Sequence, residues 1–260
     1  MNNNPGKNWL LLRGLARESA HWGSFIQTLK TTFPDAKITT LDLPGTGNFH
    51  QEDSPYTIKA ISDATRQQAL NKGLLQQPIT LLAVSLGAMV AWEWMHNYPD
   101  DICSASLINT SFANLSPFYH RLRWQSYLKF SALISKSNIL EREKSILQLV
   151  SNRRDQDNQI SLEWAQIQNQ RPINLQNFFR QIMAAASYRP NYTKPKQAIL
   201  LINAIGDRMV DPVCSENIQE KYQLKISSHP WGGHDLTLDD PEWVALQLKE
   251  WLFEDQFFQP

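Results

Sequence analysis

The sequence predicts an α/β domain built on a mostly parallel sheet flanked by helices, with a helical segment inserted into it. Two observations lead to this fold class. Short apolar runs alternate with amphipathic stretches of ten or more residues, which is typical of strands and helices in a parallel sheet that is covered on both faces. The alternation stops near residue 112 and returns near residue 197. We therefore predict a single domain over residues 1–260, with a helical cap over residues 112–194.

The individual elements follow from apolar spacing and from end signals. Thr57 can cap a helix, and Pro99 ends the helix that follows the third strand. Within the cap, Trp124, Tyr127 and Leu128 lie at helical spacing. The predicted strands are 8–13, 36–41, 78–84, 102–109, 197–205 and 224–228, and the predicted helices outside the cap are 21–31, 58–74, 86–97, 212–220 and 241–253.

Bulk properties exclude several classes of function. The chain has 260 residues and a formal net charge of zero, so nothing in its overall charge favours nucleic acid or an anionic membrane surface. The polar start over residues 1–7 does not resemble a signal peptide, and no segment approaches the ~20 apolar residues of a membrane span. Cys103 and Cys214 lie far apart and are expected to be thiols in a reducing compartment. These observations predict a cytoplasmic protein.

The most informative stretch places a serine between a strand and a helix. The apolar run that ends at Ala83-Val84 is followed by Ser85 and then by Leu86-Gly87 at the start of a helical pattern. Small residues on both sides of a serine are typical of a sharp strand-to-helix corner that exposes a nucleophilic hydroxyl. The pattern here is A-x-S-x-G, with Ala83 where glycine is usual. We predict that Ser85 is a nucleophile.

A serine hydroxyl needs a base that takes its proton and a carboxylate that orients the base. With a nucleophile at such a corner, the acid and the histidine follow it in that order along the chain. Asp207 follows the predicted strand 197–205, and His234 follows the last strand after two glycines. His229 stands at the end of that strand, where a surface role is expected. We predict that Asp207 and His234 are the partners of Ser85, although Asp207 could instead cap the next helix.

Acyl transfer also requires N–H donors for the developing oxyanion, each worth about 2.7–4 kcal/mol of barrier. The residue after the nucleophile supplies one donor, which here is the backbone N–H of Leu86. A loop after an earlier strand should supply the second. The turn Arg13-Gly14-Leu15 follows the first predicted strand, so we expect the Leu15 N–H to be this donor.

Taken together, these motifs resemble the α/β-hydrolase superfamily, in particular its capped, esterase-like branch that includes pimeloyl-carrier-protein methyl ester esterases. The resemblance spans nearly the whole chain outside the cap. It implies an α/β-hydrolase domain with Ser85, Asp207 and His234 as the triad and Leu15 and Leu86 as the oxyanion hole. The segments that carry it are Arg13-Gly14, Leu41–Gly47, Ala83–Gly87, Gly206–Val210 and Gly233–Asp235.

Two positions depart from the family pattern. Ala83 replaces glycine at the corner, and we expect its methyl group to be tolerated. Arg13 replaces the usual histidine and is expected to be a surface or ion-paired side chain without a catalytic part. The alternative for Arg13 is a contact to a substrate carboxylate. The candidate substrate contacts are Arg13, Trp22 and Trp124.

Charge is unevenly distributed along the neutral chain. Residues 112–194 contain twelve Lys and Arg but five Asp and Glu, a net charge of +7 that the remaining residues balance with −7. By resemblance to the carrier-protein esterases, this asymmetry could mark an acidic carrier protein; the alternative is that cap helices simply have cationic solvated faces. The cap also holds aromatic residues that suit an apolar acyl pocket or plain core packing: Phe118, Tyr119, Trp124, Tyr127, Phe130, Trp164, Phe178 and Phe179.

The combined prediction is a serine hydrolase that cleaves a carboxylic ester and needs neither a metal nor an organic cofactor. Its expected substrate is a small-molecule acyl ester. The enzymatic alternatives are a thioesterase or methyl esterase for carrier-bound acyl chains, a C–C bond hydrolase and an aminopeptidase. A ligand-binding protein that kept the fold is the alternative from another class. The Gly45-Thr46-Gly47 segment is interpreted as a turn, because it lacks the third glycine of a dinucleotide fingerprint.

Overall fold

The computed structural model describes residues 5–190 and 193–257. Residues 1–4 of the polar start and residues 191–192 of the predicted cap lie outside the described residues. The described chain forms a six-stranded sheet in the order β2-β1-β3-β4-β5-β6, and every neighbouring pair is parallel. The strands are β1 Asn8–Leu12, β2 Lys37–Leu41, β3 Ile79–Val84, β4 Ile102–Ile108, β5 Ala198–Ala204 and β6 Lys225–His229.

The central strands form because their residues are apolar on both faces. All six residues of β3 are buried, and β5 is buried after its first residue. Continuous burial of this kind is typical of parallel strands that helices cover on both sides. Two separate apolar cores result, one centred on Leu10, Leu81 and Trp92 and the other on Trp9 and Leu82. The mostly parallel sheet predicted from the sequence is confirmed.

Helices connect the strands and cover both faces of the sheet. Outside the segment between β4 and β5 they are α1 Phe25–Thr32, α2 Ile58–Asn71, α3 Leu86–Asn97, α9 Val213–Tyr222, α10 Leu236–Asp239 and α11 Pro241–Phe257. The Thr57 hydroxyl caps α2 by accepting the Ala60 N–H at 3.2 Å. The predicted start of α1 at residue 21 is wrong. Ser19–Trp22 form a short 3-10 helix, and Gly23 separates it from α1 with a φ of 49°.

The segment between β4 and β5 is helical, and we use the name cap for the part that holds its helices, Phe118–Ser187. Its helices are α4 Phe118–Arg121, α5 Tyr127–Ser135, α6 Ile139–Val150, α7 Asp157–Gln170 and α8 Leu175–Ser187. A small apolar cluster around Leu147 and Trp164 packs α6 against α7. The cap follows the carboxyl end of β4, which lies at the same edge of the sheet as the carboxyl end of β3. This edge holds the predicted site.

Candidate active site

Ser85 occupies a strained corner between β3 and α3. Its φ of 56° and ψ of −116° lie in a region that non-glycine residues rarely adopt, at a cost of about 1–3 kcal/mol. Neighbouring groups hold this conformation. The Ser85 N–H donates to the Ile108 carbonyl at 2.8 Å, and the Thr110 hydroxyl donates to the Ser85 carbonyl at 3.0 Å. The corner therefore presents the Ser85 side chain at the carboxyl edge of the sheet.

Gly87 and Ala83, the small residues on the two sides of the corner, have different surroundings. A Cβ atom at Gly87 would lie 2.5 Å from the Arg13 carbonyl oxygen and 2.7 Å from that of Leu12. Both atoms belong to the backbone, so α3 can approach the loop after β1 only with glycine at this position. Ala83 lies inside β3, fully buried, and β3 continues regularly through it by pairing with Leu12 and Leu107.

Asp207 and His234 are joined by a direct hydrogen bond. His234 Nδ1 lies 2.7 Å from Asp207 Oδ2, and both side chains are buried. The other carboxylate oxygen, Oδ1, accepts the N–H groups of Met209 at 2.7 Å and Val210 at 3.0 Å. The carboxylate thus faces its histidine with a fixed orientation, as an orienting acid must.

Burial and charge act in opposite directions on His234. Burial alone would lower the pKa of the imidazole, but the Asp207 charge and its hydrogen bond outweigh burial and raise that pKa above the usual value. A base with a raised pKa accepts the serine proton more readily. His234 and Ser85 line one cavity, although no hydrogen bond joins the Ser85 hydroxyl to the His234 ring among the described residues. Such contacts often tighten only when substrate binds.

Two predicted oxyanion donors lie beside Ser85. A Cβ atom at Gly14 would lie 3.1 Å from the Ser85 Cβ, so the loop after β1 passes directly over Ser85. Leu15 in that loop and Leu86 at the start of α3 both line the cavity. Within residues 5–190 and 193–257, neither backbone N–H donates a hydrogen bond to another residue. Both remain available to a bound oxygen.

A cavity of about 660 Å³ opens in front of these residues, between the edge of the sheet and the cap. Most of its wall is apolar. Of the cap aromatics named above, Phe118, Tyr127, Phe130, Phe178 and Phe179 line the cavity, while Tyr119, Trp124 and Trp164 do not. A volume of this size is in the range of sites that enclose small organic molecules. Across the described residues, no group of three or more His, Cys, Asp and Glu is arranged to hold a metal ion.

The sequence matches the model of the alpha/beta hydrolase family over residues 9–247. This match covers most of the chain and includes all or nearly all of every strand of the sheet. The chain belongs to the alpha/beta hydrolase family. A comparison with curated proteins gives no match.

Solved structures of similar fold cover nearly the whole chain at low sequence identity. The esterase RhEst1 from Rhodococcus sp. ECU1013 is 16% identical, with a TM-score of 0.74 over 97% of this chain and 92% of that one. A thermophilic esterase from Thermogutta terrifontis is 18% identical, with a TM-score of 0.70 over 96% and 91%. A lipase-esterase related protein from Clostridium acetobutylicum ATCC 824 is 15% identical, with a TM-score of 0.71 over 96% of each chain. At these identities the likeness shows the shared fold alone.

Arg13 is an ion-paired side chain in this alpha/beta hydrolase, one of the two placements expected for it. Its side chain is buried and forms a two-pronged ion pair with Asp235, the residue after His234; the Nη1–Oδ1 distance is 3.1 Å and the Nη2–Oδ2 contact is shorter. Its guanidinium also lies 4.8 Å from the centre of the Trp22 ring. The structure thus selects the ion-paired alternative of the prediction, and the pair is buried because β1 ends inside the fold beside the histidine loop.

The two predicted tryptophan contacts do not reach the cavity. Trp22 is buried in the second core against Phe25 and beneath Arg13. Trp124 lies in the cap, but its side chain is 65% exposed. Of the three candidate substrate contacts, the structure brings only Arg13 to the cavity wall.

Asn109 is a residue of the site that sequence reasoning missed. It follows β4 with a φ of 49°, a conformation that asparagine tolerates better than most residues. Its side-chain amide donates to the carbonyls of Gly233 and His234 at 3.2 and 2.9 Å, while its Oδ1 accepts the Ala204 N–H at 2.9 Å. Asn109 thus ties the histidine loop to the ends of β4 and β5. A polar residue ending a buried strand was the one available signal.

His229 is also placed differently from expectation. It is 1% exposed, its ring lies between Trp231 and Trp243, and its Nδ1 accepts the Gly232 N–H at 2.8 Å. Its Nε2 lies 3.2 Å from an Asp240 carboxylate oxygen. The predicted surface role is wrong because α11 and the loop after β6 cover the end of this strand.

Proposed function

We propose that the protein is a serine hydrolase that cleaves a carboxylic ester through an acyl-enzyme. The observation that carries this proposal is the buried hydrogen bond between Asp207 and His234. His234 lines the same cavity as Ser85, which lies at a strained corner. An orienting acid, a base and a hydroxyl that faces the substrate cavity are the parts that nucleophilic acyl transfer needs.

In the proposed reaction, His234 takes the proton of the Ser85 hydroxyl as the oxygen attacks the acyl carbonyl. The carbonyl oxygen becomes an oxyanion, which the N–H groups of Leu15 and Leu86 stabilise. His234 then gives the proton to the leaving alcohol, and the acyl-enzyme remains. Water, activated by the same histidine, attacks the acyl-enzyme and releases the carboxylic acid. Asp207 holds the imidazole in one tautomer throughout.

The cavity supports an apolar acyl chain. Phe130, Leu133, Ile146, Phe178 and Ile182 contribute aliphatic and aromatic surface to its wall. Burial of each methylene of a chain stabilises a complex by about 0.8 kcal/mol. We therefore expect kcat/KM for p-nitrophenyl esters to rise with acyl length from acetate upward, until the chain fills the cavity.

The ion pairs of the cap support an acidic carrier protein as a partner less than the net charge of residues 112–194 does. Many cap cations are engaged by neighbouring groups. Two of them pair with the α/β body: Arg171 with Glu18, and Arg180 with Asp53. The pairs within the cap, Lys144 with Glu141, Arg153 with Asp155, and Arg154 with Asp157, are already included in the net charge of +7. Carrier-bound acyl esters and thioesters stay the alternative substrates. An acyl chain presented free and on an acidic carrier would separate them: equal kcat/KM would argue against the carrier.

Burst kinetics test the proposed function. Wild-type protein mixed with a p-nitrophenyl ester should release about one equivalent of p-nitrophenol before the steady state, if deacylation is the slower step. Ser85→Ala should remove the burst and the steady-state turnover. A ligand-binding protein without catalysis would show no acyl-enzyme, and Ser85→Ala would then change nothing.

A further inference from the structure

Two fully buried amide side chains lie one turn apart on α8 of the cap. The first, Asn177, accepts the Ser54 N–H at 2.8 Å and donates to the Glu52 carbonyl at 2.8 Å. The second, Gln181, lies four residues further along the helix and is equally buried. Both amides join the cap to the segment between β2 and α2, but only Gln181 also reaches the loop after β1.

Gln181 reaches the loop that follows β1. Its Oε1 accepts the Ala16 N–H at 2.9 Å, and its Nε2 donates to the Pro44 carbonyl at 3.2 Å. Ala16 directly follows Leu15, the predicted oxyanion donor. Among the described residues, this is the one hydrogen bond from the cap to the backbone of residues 13–17.

The backbone at Ala16 is in a conformation that needs support. Its φ is 58°, in the left-handed region that alanine disfavours. The surrounding turn is tight, with the Arg17 N–H donating to the Gly14 carbonyl at 3.2 Å. A disfavoured backbone conformation persists only where neighbouring contacts hold it. The Gln181 carbonyl supplies such a contact at the strained residue itself.

We propose that Gln181 is a positioning residue for the oxyanion loop. The Gln181 side-chain oxygen accepts the Ala16 N–H and so holds the turn after β1 in place. The Leu15 N–H then remains the donor from this loop to the substrate oxygen. This inference rests on the proposed function and adds a second task for the cap, which also walls the cavity. Other cap contacts to this loop involve side chains: Glu143 pairs with Arg17 at 2.8 Å, and Arg171 pairs with Glu18.

The test compares Gln181→Met with Asn177→Leu. Each variant replaces a buried amide of α8 by an apolar side chain of similar size, and each removes two hydrogen bonds between the cap and the body. Only the first affects the oxyanion loop. For both variants we would measure kcat and KM with one p-nitrophenyl ester, the inhibition constant of an alkyl boronic acid, and the melting temperature. The boronic acid forms a tetrahedral adduct on serine, so its affinity reports on the oxyanion hole.

Gln181→Met should lower kcat by about tenfold or more, less than the ~10²–10³ for a donor removed outright, with KM within about threefold. Boronate affinity should fall by a similar factor. Asn177→Leu should change kcat and boronate affinity by less than about threefold. Equal effects of the two variants on kcat, or a change confined to KM, would overturn the proposal. If Gln181→Met does not fold, Gln181→Asn, which is one methylene too short, takes its place. Absence of an acyl-enzyme in the wild type would instead reject the proposed function.

Discussion

Replacing Arg13 with methionine would leave the Asp235 carboxylate buried without its cation. The Arg13 and Asp235 side chains are 5% and 4% exposed, so water cannot take the place of the lost charge. Removing one partner of such a pair costs about 3–5 kcal/mol. Because Thr237 still donates to Asp235 at 2.9 Å, we expect the free energy of unfolding near pH 7 to fall by about 3 kcal/mol, the lower end of that range.

The pH dependence of this loss follows from the Asp235 pKa. Burial would raise that pKa, but the Arg13 charge and the hydrogen bonds from Arg13 and Thr237 outweigh burial and lower it. In the wild type, Asp235 therefore contributes stability above the unfolded carboxyl pKa of about 3.9, and this stability is lost as pH falls through the lower folded value. In Arg13→Met the Asp235 pKa rises, so the difference between the two proteins should shrink as the pH falls.

Urea unfolding followed by tryptophan fluorescence at several pH values would measure this difference. The double variant Arg13→Met/Asp235→Leu should recover most of the lost stability, because it buries no unpaired charge. A loss below about 1 kcal/mol at pH 7, or one that does not depend on pH, would refute the reasoning.

The same variant tests whether Arg13 binds a substrate carboxylate. Both Nη atoms of Arg13 are held by Asp235, and Nη1 also contacts the Thr237 hydroxyl at 3.3 Å. The fork formed by the two Nη atoms is therefore occupied by Asp235, and the Nε atom, which has no hydrogen-bond partner among the described residues, is buried. We expect Arg13→Ala and Arg13→Met to lower kcat/KM equally on neutral and acidic esters. A loss selective for acidic esters would restore the carboxylate role.

Three further predictions concern the same site. Asp207→Asn should lower kcat by about 10⁴-fold, because an amide would favour the wrong His234 tautomer; steady-state kinetics would measure it, and a loss below about tenfold would argue against Asp207 as the orienting acid. The neutral form of His234 is the base, and the pKa of His234 is raised. The value of kcat/KM should therefore increase with pH through a midpoint above the usual histidine pKa of about 6.5. A midpoint below that value would contradict this assignment. Gly87→Ala should destabilise the fold by about 1–3 kcal/mol in urea unfolding, because the new Cβ would meet the backbone oxygens of Leu12 and Arg13. An unchanged urea midpoint would show that the loop after β1 can move away from α3.

The sequence was most informative where the relevant physics is local. A serine between an apolar strand and a helix start placed the corner at Ser85, and α3 begins at Leu86 as the pattern indicated. Asp207 and His234 were predicted from their order along the chain after the predicted nucleophile, and the structure joins them by a hydrogen bond. Element ends were less reliable: the break at Gly23 depends on a φ of 49° that composition does not reveal.

The contacts that support the site could not be predicted, because they join distant parts of the chain. Arg13 and Asp235 are 222 positions apart, and Ala16 and Gln181 are 165 apart. The type of a residue determines which groups its side chain can bind, but it does not reveal which of these groups the fold places beside it. For the same reason, the net charge of +7 over residues 112–194 overstated the cationic surface, since several of those side chains have partners.

Trapping of the nucleophile tests the central claim most directly. Wild-type protein treated with an alkyl fluorophosphonate should gain the mass of one phosphonyl group, and peptide mapping should place that group on Ser85. Asp207→Asn should react more slowly, and Ser85→Ala should gain no mass. A modification at another residue, or an equal gain of mass by Ser85→Ala, would contradict the assignment of Ser85 as the nucleophile.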